Sequence, residues 1–341
     1  MIRPTVHDIA REASVSLATV DRVLNMRPGV RDKTIAKVQA AVERLGYVRD
    51  TSAANLARQR QYRFAIVLPA APSQFGRTLK EALTEAYASQ IADRVLLKIF
   101  EVPSHDPHAI VRSLQSLDTS ILDGVAIMAP ETPQVRDAIA RLKEEGLSVV
   151  TLVSDLPNSC RDYFIGINNA AAGRTAGQLM GKFLGSYGEI LVVSNSMRSR
   201  DSLERRLGFD QVMANDFQDL TVLPSIESYD DPRRMEQVIG AVAAARPALA
   251  GVYSMGSGNT ALVAALRKSG YLGALTVIAH ELTPTTRRAL RNNEIAAVIN
   301  QNVGHLVRSA LRVLRSLCDD VPIYEAQERV RIEIMMRENL G

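Results

Sequence analysis

The sequence contains no tryptophan, few aromatic residues and only two cysteines in 341 residues. Cys160 and Cys318 lie far apart without metal-ligand spacing, which excludes a disulfide framework and a zinc finger and is typical of cytosolic thiols. The chain also lacks a run of about eighteen apolar residues, which excludes a membrane-spanning helix. Because residues 1–5 have no apolar signal core, we expect a cytoplasmic protein without a membrane partner.

A large net charge is also missing, since the formal value is only +4. The charge is unevenly distributed, however. Residues 1–62 hold 11 Lys and Arg against 6 Asp and Glu, whereas the rest of the chain holds 30 against 31. A basic head on a nearly neutral body indicates that the head contacts a polyanion.

The head contains three short amphipathic patterns in close succession. Val6, Ile9 and Ala13 share one helical face, and Ser16 is placed to cap a second helix over residues 17–24. A third helix starts near Asp32 and stops at Gly46. Two helices joined by a short turn and braced by a third form a DNA-binding helix-turn-helix head. The spacing alone also permits a small helical cap without a nucleic-acid role, although it favours the DNA-binding head.

Residues 5–10 (TVHDIA), 15–20 (VSLATV), 22–25 (RVLN) and 45–48 (LGYV) resemble the head of the LacI/GalR repressor family. The resemblance covers the whole head without a gap. It implies that one set of side chains reads base edges and another holds phosphates of double-stranded operator DNA. The implied base-reading residues are Leu17, Ala18 and Arg22. The other implied DNA contacts are Thr5, Ser16, Thr19 and Asn25.

Three residues of the head depart from the family pattern. Ser14 stands at a turn position where the family usually has glycine, so we expect a positive φ there. Asp21 would repel a phosphate unless it pairs with a neighbouring cation, for which Arg22 is the nearest candidate. Arg31 takes the usual cap position of the third helix, and we therefore expect Asp32 to cap it.

Residues 50–62 form a polar, alanine-rich linker. By composition they are a plain tether between domains. The resemblance implies a hinge helix that forms on DNA, in which Leu56 enters the minor groove and Ser52 and Asn55 add DNA contacts. A helix this short is marginal on its own, so we expect it to form only on DNA.

From residue 63 onward, short apolar β runs alternate with helical patterns, which predicts an α/β fold with doubly wound parallel sheets. The runs are too many for one sheet, so we expect two lobes within residues 63–341. The predicted lobes cover about 63–160 and 300–322, and about 161–299 and 323–341. The last of these segments includes a strand pattern at residues 329–336. The predicted strands are 64–68, 95–102, 124–128, 148–152, 190–193, 221–226, 251–253, 276–278 and 296–299.

Polar and aromatic residues follow many of these strands, at the sheet edge where α/β folds bind ligands. This pattern resembles the sugar-binding, periplasmic binding protein-like type I domain that follows the same head in the family. The resemblance implies an effector site between the lobes for a sugar or sugar derivative. The candidate effector-binding residues are Ser73, Phe75, Glu131, Asp155, Arg205, Gly256, Asn259, His280, Glu281 and Gln301.

The resemblance implies that Phe75 lies against the ligand and that Asp155 and Arg205 bond its polar groups. Glu281 stands where the family often has Asp, and Gln301 matches a ligand-facing Gln. Each residue also has an ordinary interpretation, with Asp155 as a turn former, Arg205 as a surface charge and Phe75 as a core residue. Their joint position at strand ends favours the site.

Two rival functions remain at this point. Gly256-x-Gly258-x-x-Ala261, with Glu281 downstream, fits a dinucleotide fingerprint and would indicate an NAD-dependent dehydrogenase. A solute-binding protein would share the lobes but would have no basic head. The fingerprint lies late in the chain and lacks a catalytic set. We therefore expect a non-enzymatic, allosteric repressor that acts as a homodimer, with no cofactor and no metal site.

Overall fold

The computed structural model describes residues 4–24, 27–47, 60–70, 73–90, 94–103, 106–185, 187–229, 231–256 and 258–341. The chain divides into two compact units, residues 1–60 and residues 61–341. Among the described residues, no helix combines the length and the apolar character that crossing a membrane requires.

The first unit contains α1 (Val6–Ala13), α2 (Leu17–Leu24) and α3 (Asp32–Leu45), as the periodicity predicts. Its core is small, with Ile9, Val20 and Val38 fully buried where the three helices meet. Each helix therefore depends on contacts with the other two, since helices of one to four turns are marginal alone.

The turn between α1 and α2 has the geometry that its sequence predicts. Ser14 takes a left-handed backbone with φ 52°. The prediction for the third helix was wrong in one detail. The helix begins at Asp32, so Arg31 is the cap residue and makes no side-chain cap hydrogen bond. Asp32 lies instead in the first turn, where the helix dipole favours a carboxylate.

The first lobe of the second unit has a five-stranded parallel sheet in the order β2-β1-β3-β4-β5. Its central strands β3 and β4 are buried along nearly their whole length because helices cover both sides of the sheet, whereas the edge strand β2 is partly exposed. Its elements in chain order are β1 (Tyr62–Pro69), α4 (Gln74–Gln90), β2 (Val95–Val102), α5 (Pro107–Gln115), β3 (Gly124–Ile127), α6 (Pro133–Glu144), β4 (Ser148–Leu152) and β5 (Tyr163–Ile165).

The second lobe has a sheet in the order β12-β11-β10-β9-β6-β7, and β8 also pairs with β6. Its elements are α7 (Asn169–Leu184), β6 (Gly188–Ser194), α8 (Arg200–Asp216), β7 (Leu220–Val222), β8 (Ile226–Glu227), α9 (Pro232–Ala245), β9 (Leu249–Ser254), α10 (Asn259–Lys268), β10 (Thr276–His280), α11 (Pro284–Arg291) and β11 (Ala297–Gln301). The chain ends with α12 (Val303–Asp319), α13 (Glu325–Glu328), β12 (Ile332–Met335) and a 3₁₀ turn (Arg337–Asn339).

The chain crosses between the lobes three times. It leaves the first lobe after β5, returns with α12, which packs on β3, β4, β5 and α4, and crosses again to place β12 beside β11. The Tyr62 hydroxyl donates to Asp319 Oδ2 at 2.7 Å and ties the end of α12 to the start of β1.

Three strand predictions need correction. The short β5 was missed, and because it pairs with β4 the first sheet extends beyond residue 160 to Ile165. The strand predicted at 221–226 is two separate strands, β7 and β8, on the same side of β6. The predicted strand near the C-terminus is present as β12, but it pairs antiparallel to β11, so the second sheet is mixed.

Candidate ligand cavity and nucleic-acid interface

The exposed face of α2 carries the residues predicted to read DNA. Val20 faces the core of the head, which leaves Leu17, Ala18 and Arg22 exposed on the opposite side, with Leu17 42% exposed. Because one face of this short helix is buried, its opposite face presents apolar side chains and a cation together. An arginine fork suits the two acceptors of guanine in a major groove, and a small apolar side chain suits the thymine methyl group.

The predicted phosphate-binding hydroxyls lie at the two helix N-termini of the motif. Thr5 donates from its backbone N–H and from its hydroxyl to Asp8 Oδ2, at 2.8 and 2.7 Å. The Ser16 hydroxyl accepts from the Thr19 backbone N–H at 3.2 Å and lies 2.9 Å from the Thr19 hydroxyl. These bonds orient the Thr5 hydroxyl and the Ser16–Thr19 hydroxyl pair at helix ends, where backbone N–H groups favour anions.

Asp21 forms an ion pair with Arg27, with 3.3 Å between its Oδ2 and the guanidinium. Arg27 is thus a cation partner for Asp21, the residue whose negative charge would otherwise repel a phosphate. The predicted DNA contacts of Asn25, Ser52, Asn55 and Leu56 lie outside the described residues.

A cavity of about 480 Å³ lies between the two lobes of the second unit, at the carboxyl ends of strands from both sheets. Five of the ten residues predicted from the sequence line it. They are Ser73, Phe75, Arg205, Gly256 and Glu281.

Arg205 lies on α8 and is only 1% exposed. Its Nε donates to Asn169 Oδ1 at 2.9 Å and its Nη1 donates to the Met255 carbonyl at 2.6 Å. The helices α7 and α8 cross closely enough that a Cβ on Gly173 would lie 2.0 Å from the Arg205 carbonyl oxygen. This close crossing buries the guanidinium, which brings positive charge to the inner end of the cavity.

Glu281 follows β10 with a left-handed backbone, φ 70°, and is 4% exposed. Its Oε1 accepts from Gln301 Nε2 at 2.8 Å and lies 3.7 Å from Arg205 Nη2. Burial raises the pKa of the Glu281 carboxyl to about 7, against the lowering effects of Arg205 and Gln301. The nearby Asp201 carboxylate raises it further.

We expect Glu281→Gln to change how the stability of the ligand-free protein depends on pH. The folded state keeps the Glu281 proton up to about pH 7, whereas the unfolded chain loses it near the ordinary value of 4.5. The folded state therefore binds more protons across that window, and wild-type stability falls as pH rises through it. The variant should gain on the order of 3 kcal/mol relative to wild type between these pH values and no more above them. Thermal melts at closely spaced pH values measure this, and parallel wild-type and variant curves would contradict it.

The other five predicted residues do not line the cavity. The Asp155 carboxylate forms a two-point ion pair with Arg161, whose Nη2 lies 2.6 Å from Oδ2, and Asp155 Oδ1 also accepts from the Leu156 backbone N–H at 2.7 Å. The carboxylate is thus held by partners within its own loop and does not line the cavity. Asp155 is therefore a loop-fixing residue in this structure, as its turn-former interpretation implies.

Asn259, His280 and Gln301 lie behind the cavity wall. The Asn259 side chain accepts from the Ser254 hydroxyl at 2.8 Å and donates to the His280 carbonyl at 2.7 Å. His280 Nε2 lies 2.9 Å from the Tyr253 hydroxyl, and burial holds the pKa of the imidazole well below 6.5. These residues support the wall, and Gln301 acts through its bond to Glu281.

Glu131 takes part in contacts that join the two lobes. Its Oε2 lies 3.2 Å from Arg200 Nη1 across the cleft. The Asp201 backbone N–H donates to the Ser154 hydroxyl at 3.4 Å, and the Thr285 backbone N–H donates to Gln74 Oε1 at 3.2 Å. In this structure direct contacts between side chains and backbone groups thus join the two lobes beside the cavity.

The sequence interpretation missed several polar residues that line the cavity on the second lobe. Asn195 and Ser196 follow β6, Asp201 and Ser202 lie in the first turn of α8, and Tyr229 follows β8. The available signal was the Ser-Asn-Ser run directly after β6, which has the same strand-end position as the residues that were selected. Tyr229 had no comparable signal, because β8 was predicted as part of a longer strand.

Comparisons with known proteins agree with this division of the chain. Residues 64–320 match the family model for the periplasmic binding protein domain. Residues 5–50 match the model for bacterial regulatory proteins of the lacI family.

Two curated relatives illustrate the range of similarity. Catabolite control protein A of Priestia megaterium is 27% identical over 164 residues, 47% of this chain and 48% of that protein. The HTH-type transcriptional regulator pepR1 of Lactobacillus delbrueckii subsp. lactis is 23% identical over 344 residues, 98% of this chain and 97% of that protein. The chain spans about half the length of the first curated relatives it matches.

Among solved structures, the glucose-galactose binding protein GanP of Geobacillus stearothermophilus has a TM-score of 0.73 to this chain. The likeness covers 82% of this chain and 99% of that protein at 16% identity, and it shows the fold.

Proposed function

We propose that this chain, which belongs to the periplasmic binding protein domain family and carries a lacI-family head, is a sequence-specific DNA-binding transcription regulator. The observation that carries the proposal is the presence in one chain of that head, at residues 5–50, and of a ligand cavity with buried charged groups. A head alone would bind DNA without regulation, and a cavity alone would bind a solute without a response at DNA.

In this proposal the protein is a cytoplasmic homodimeric repressor, and paired heads read a two-fold operator. Leu17, Ala18 and Arg22 contact base edges. Thr5, Ser16 and Thr19 contact phosphates, which set the register of the head but carry no sequence information. Asn25, Ser52, Asn55 and Leu56 extend the interface, with Leu56 in the minor groove.

The effector is a sugar or sugar derivative that binds in the cavity. The exposed hydroxyls of such a molecule both donate and accept hydrogen bonds, which suits Arg205 and Glu281 side by side. The likeness to a glucose-galactose binding protein is consistent with this class of ligand. The effector controls operator affinity by binding one arrangement of the lobes more tightly than the other.

The dehydrogenase alternative has little support. The turn that resembles a dinucleotide fingerprint leads from β9 into α10, and the Asn259 side chain after it bonds only within the second lobe, to Ser254 and to the His280 carbonyl, as far as the described residues extend. The curated relatives named above are regulators by name. The solute-binding alternative does not account for the head at residues 5–50.

The test uses the full-length protein and a random double-stranded DNA library. We expect repeated selection to enrich a two-fold symmetric sequence whose dissociation constant rises steeply with salt, because phosphate contacts release counterions. A mixture of sugars and sugar derivatives should then change that constant by about fivefold or more. Failure to enrich any sequence at low salt would reject the proposal.

A further inference from the structure

The two walls of the cavity differ in chemistry. The first-lobe wall is formed largely by apolar side chains, including those of Leu68, Phe75, Leu79, Met128 and Val153. Lys80 is also present there, but its ammonium group is bonded to Glu101. Ser73, Thr132 and Ser154 add hydroxyl groups to this wall, but most of the surface that it offers a ligand is apolar.

The second-lobe wall is polar. Among the described residues it includes Asn195, Ser196, Asp201, Ser202, Arg205 and Glu281, and it has no aliphatic side chain, although Tyr229 adds an aromatic ring. Hydrogen-bonding side chains are thus concentrated on the second-lobe side of the cleft, and apolar side chains on the first-lobe side.

Unsatisfied hydrogen-bonding atoms follow the same division. Arg205 Nη2, Glu281 Oε2 and Asn195 Oδ1 are buried atoms of cavity-lining residues and have no hydrogen-bond partner. The other buried side-chain atoms of this kind in the described part of the chain belong to second-lobe residues outside the cavity lining, namely Ser228, His280 and Gln301. Buried polar atoms normally have partners, so these atoms indicate where the polar part of a ligand binds.

From this division we infer that the effector is a glycoside with an apolar aglycone, aryl or alkyl. The inference rests on the proposed effector-binding function. The hydroxyls of the sugar ring accept from Arg205 Nη2 and donate to Glu281 Oε2, while the aglycone lies against Phe75, Leu79 and Met128. A free monosaccharide has hydroxyls on every side, and those facing Phe75, Leu79 and Met128 on the first-lobe wall would lose water without gaining partners. The volume of about 480 Å³ is also in the range of sites for ligands larger than one small ring.

Matched ligand pairs test the inference by isothermal titration calorimetry on the full-length protein. The probes are the phenyl and methyl β-D-glucopyranosides and the same two glycosides of galactose and xylose. For the sugar that binds, we expect the phenyl glycoside to bind about tenfold more tightly than the methyl glycoside, because a buried phenyl group removes apolar surface from water. Its binding should also have a more negative heat-capacity change.

Met128→Gln alters the apolar wall at a half-buried residue with nearly unchanged length. This variant should reduce the advantage of the phenyl glycoside to about twofold, because it weakens binding of the phenyl glycoside more than binding of the methyl glycoside. Met336→Gln, at an exposed methionine away from the cavity, is the matched control and should change neither. A thermal melt of each variant verifies that it is folded.

Equal affinities within the binding pair, or equal weakening of both ligands by Met128→Gln, would overturn the inference and leave effector binding intact. Absence of binding by all six glycosides would overturn it as well, and the DNA selection described above would still stand or fall by itself. If the phenyl preference holds but no DNA sequence is enriched, the glycoside site stands and the regulator proposal fails.

Discussion

Replacing Arg205 with methionine should abolish the effector response and lower the free energy of unfolding by about 3 kcal/mol. Methionine fills a similar volume, so the loss comes from hydrogen bonds and charge. The Asn169 side chain and the Met255 carbonyl each lose a buried donor at 2.9 and 2.6 Å. The Glu281 carboxyl, 3.7 Å from the guanidinium, loses its nearest cation, so its proton is held to higher pH.

Urea unfolding measures the stability change, and titration with the effector or a binding glycoside measures the loss of response. Arg174→Met is the matched control, since Arg174 is an exposed arginine on α7 next to the same helix pair. We expect that control to change stability by less than about 0.5 kcal/mol. If Arg205→Met binds ligand normally and remains within about 1 kcal/mol of wild type, the role assigned to the guanidinium is wrong.

Arg22→Ala should weaken binding to the selected DNA sequence by about tenfold to a hundredfold, since a bidentate contact to guanine is worth roughly 1–3 kcal/mol. Arg22 is exposed on α2, so its loss leaves the core of the head unchanged. The loss should be confined to one position of each half-site, where the variant tolerates other bases.

Binding titrations against the selected sequence and its single-base variants measure this effect. Arg44→Ala is the control, because the Arg44 guanidinium lies on α3 and pairs with Glu12 at 3.0 Å. That variant should bind within about twofold of wild type, as loss of an exposed ion pair changes stability little. A uniform weakening by Arg22→Ala across all sequences would instead indicate a phosphate contact.

Local sequence predicted the head well because its helices are short and each has one clear apolar face. Helices α1 and α3 end just before Ser14 and Gly46, and α2 begins just after Ser16, which are the boundaries that these residue types predict. In the body, the parallel strands were recognisable as apolar runs, whereas β5 has only three residues and is defined by its pairing with β4. Pairing between distant segments is not visible in a local pattern.

The candidate site was partly predictable for a geometric reason. A strand end does not by itself fix which side chains face the cleft. His280 is the last residue of β10 and bonds to Tyr253 behind the cavity, whereas the backbone turns left-handed at the next residue, Glu281, which lines the cavity. The Asp155 carboxylate bonds instead to Arg161, six residues later, and its position after a strand does not reveal this local partner.

The late position of α12 in the chain has a consequence for biosynthesis. This helix completes the first lobe, yet it follows the whole second lobe in sequence, and β12 then completes the second lobe from the C-terminus. During translation the head can fold before either lobe, because its core lies between Ile9 and Tyr47, ahead of both sheets. The first lobe is incomplete until α12 has left the ribosome, and the second lobe is incomplete until β12 has done so. Translation adds roughly 5–20 residues per second, so one face of the first sheet stays uncovered for many seconds before α12 is synthesised. During that time the exposed apolar face is available for chaperone binding.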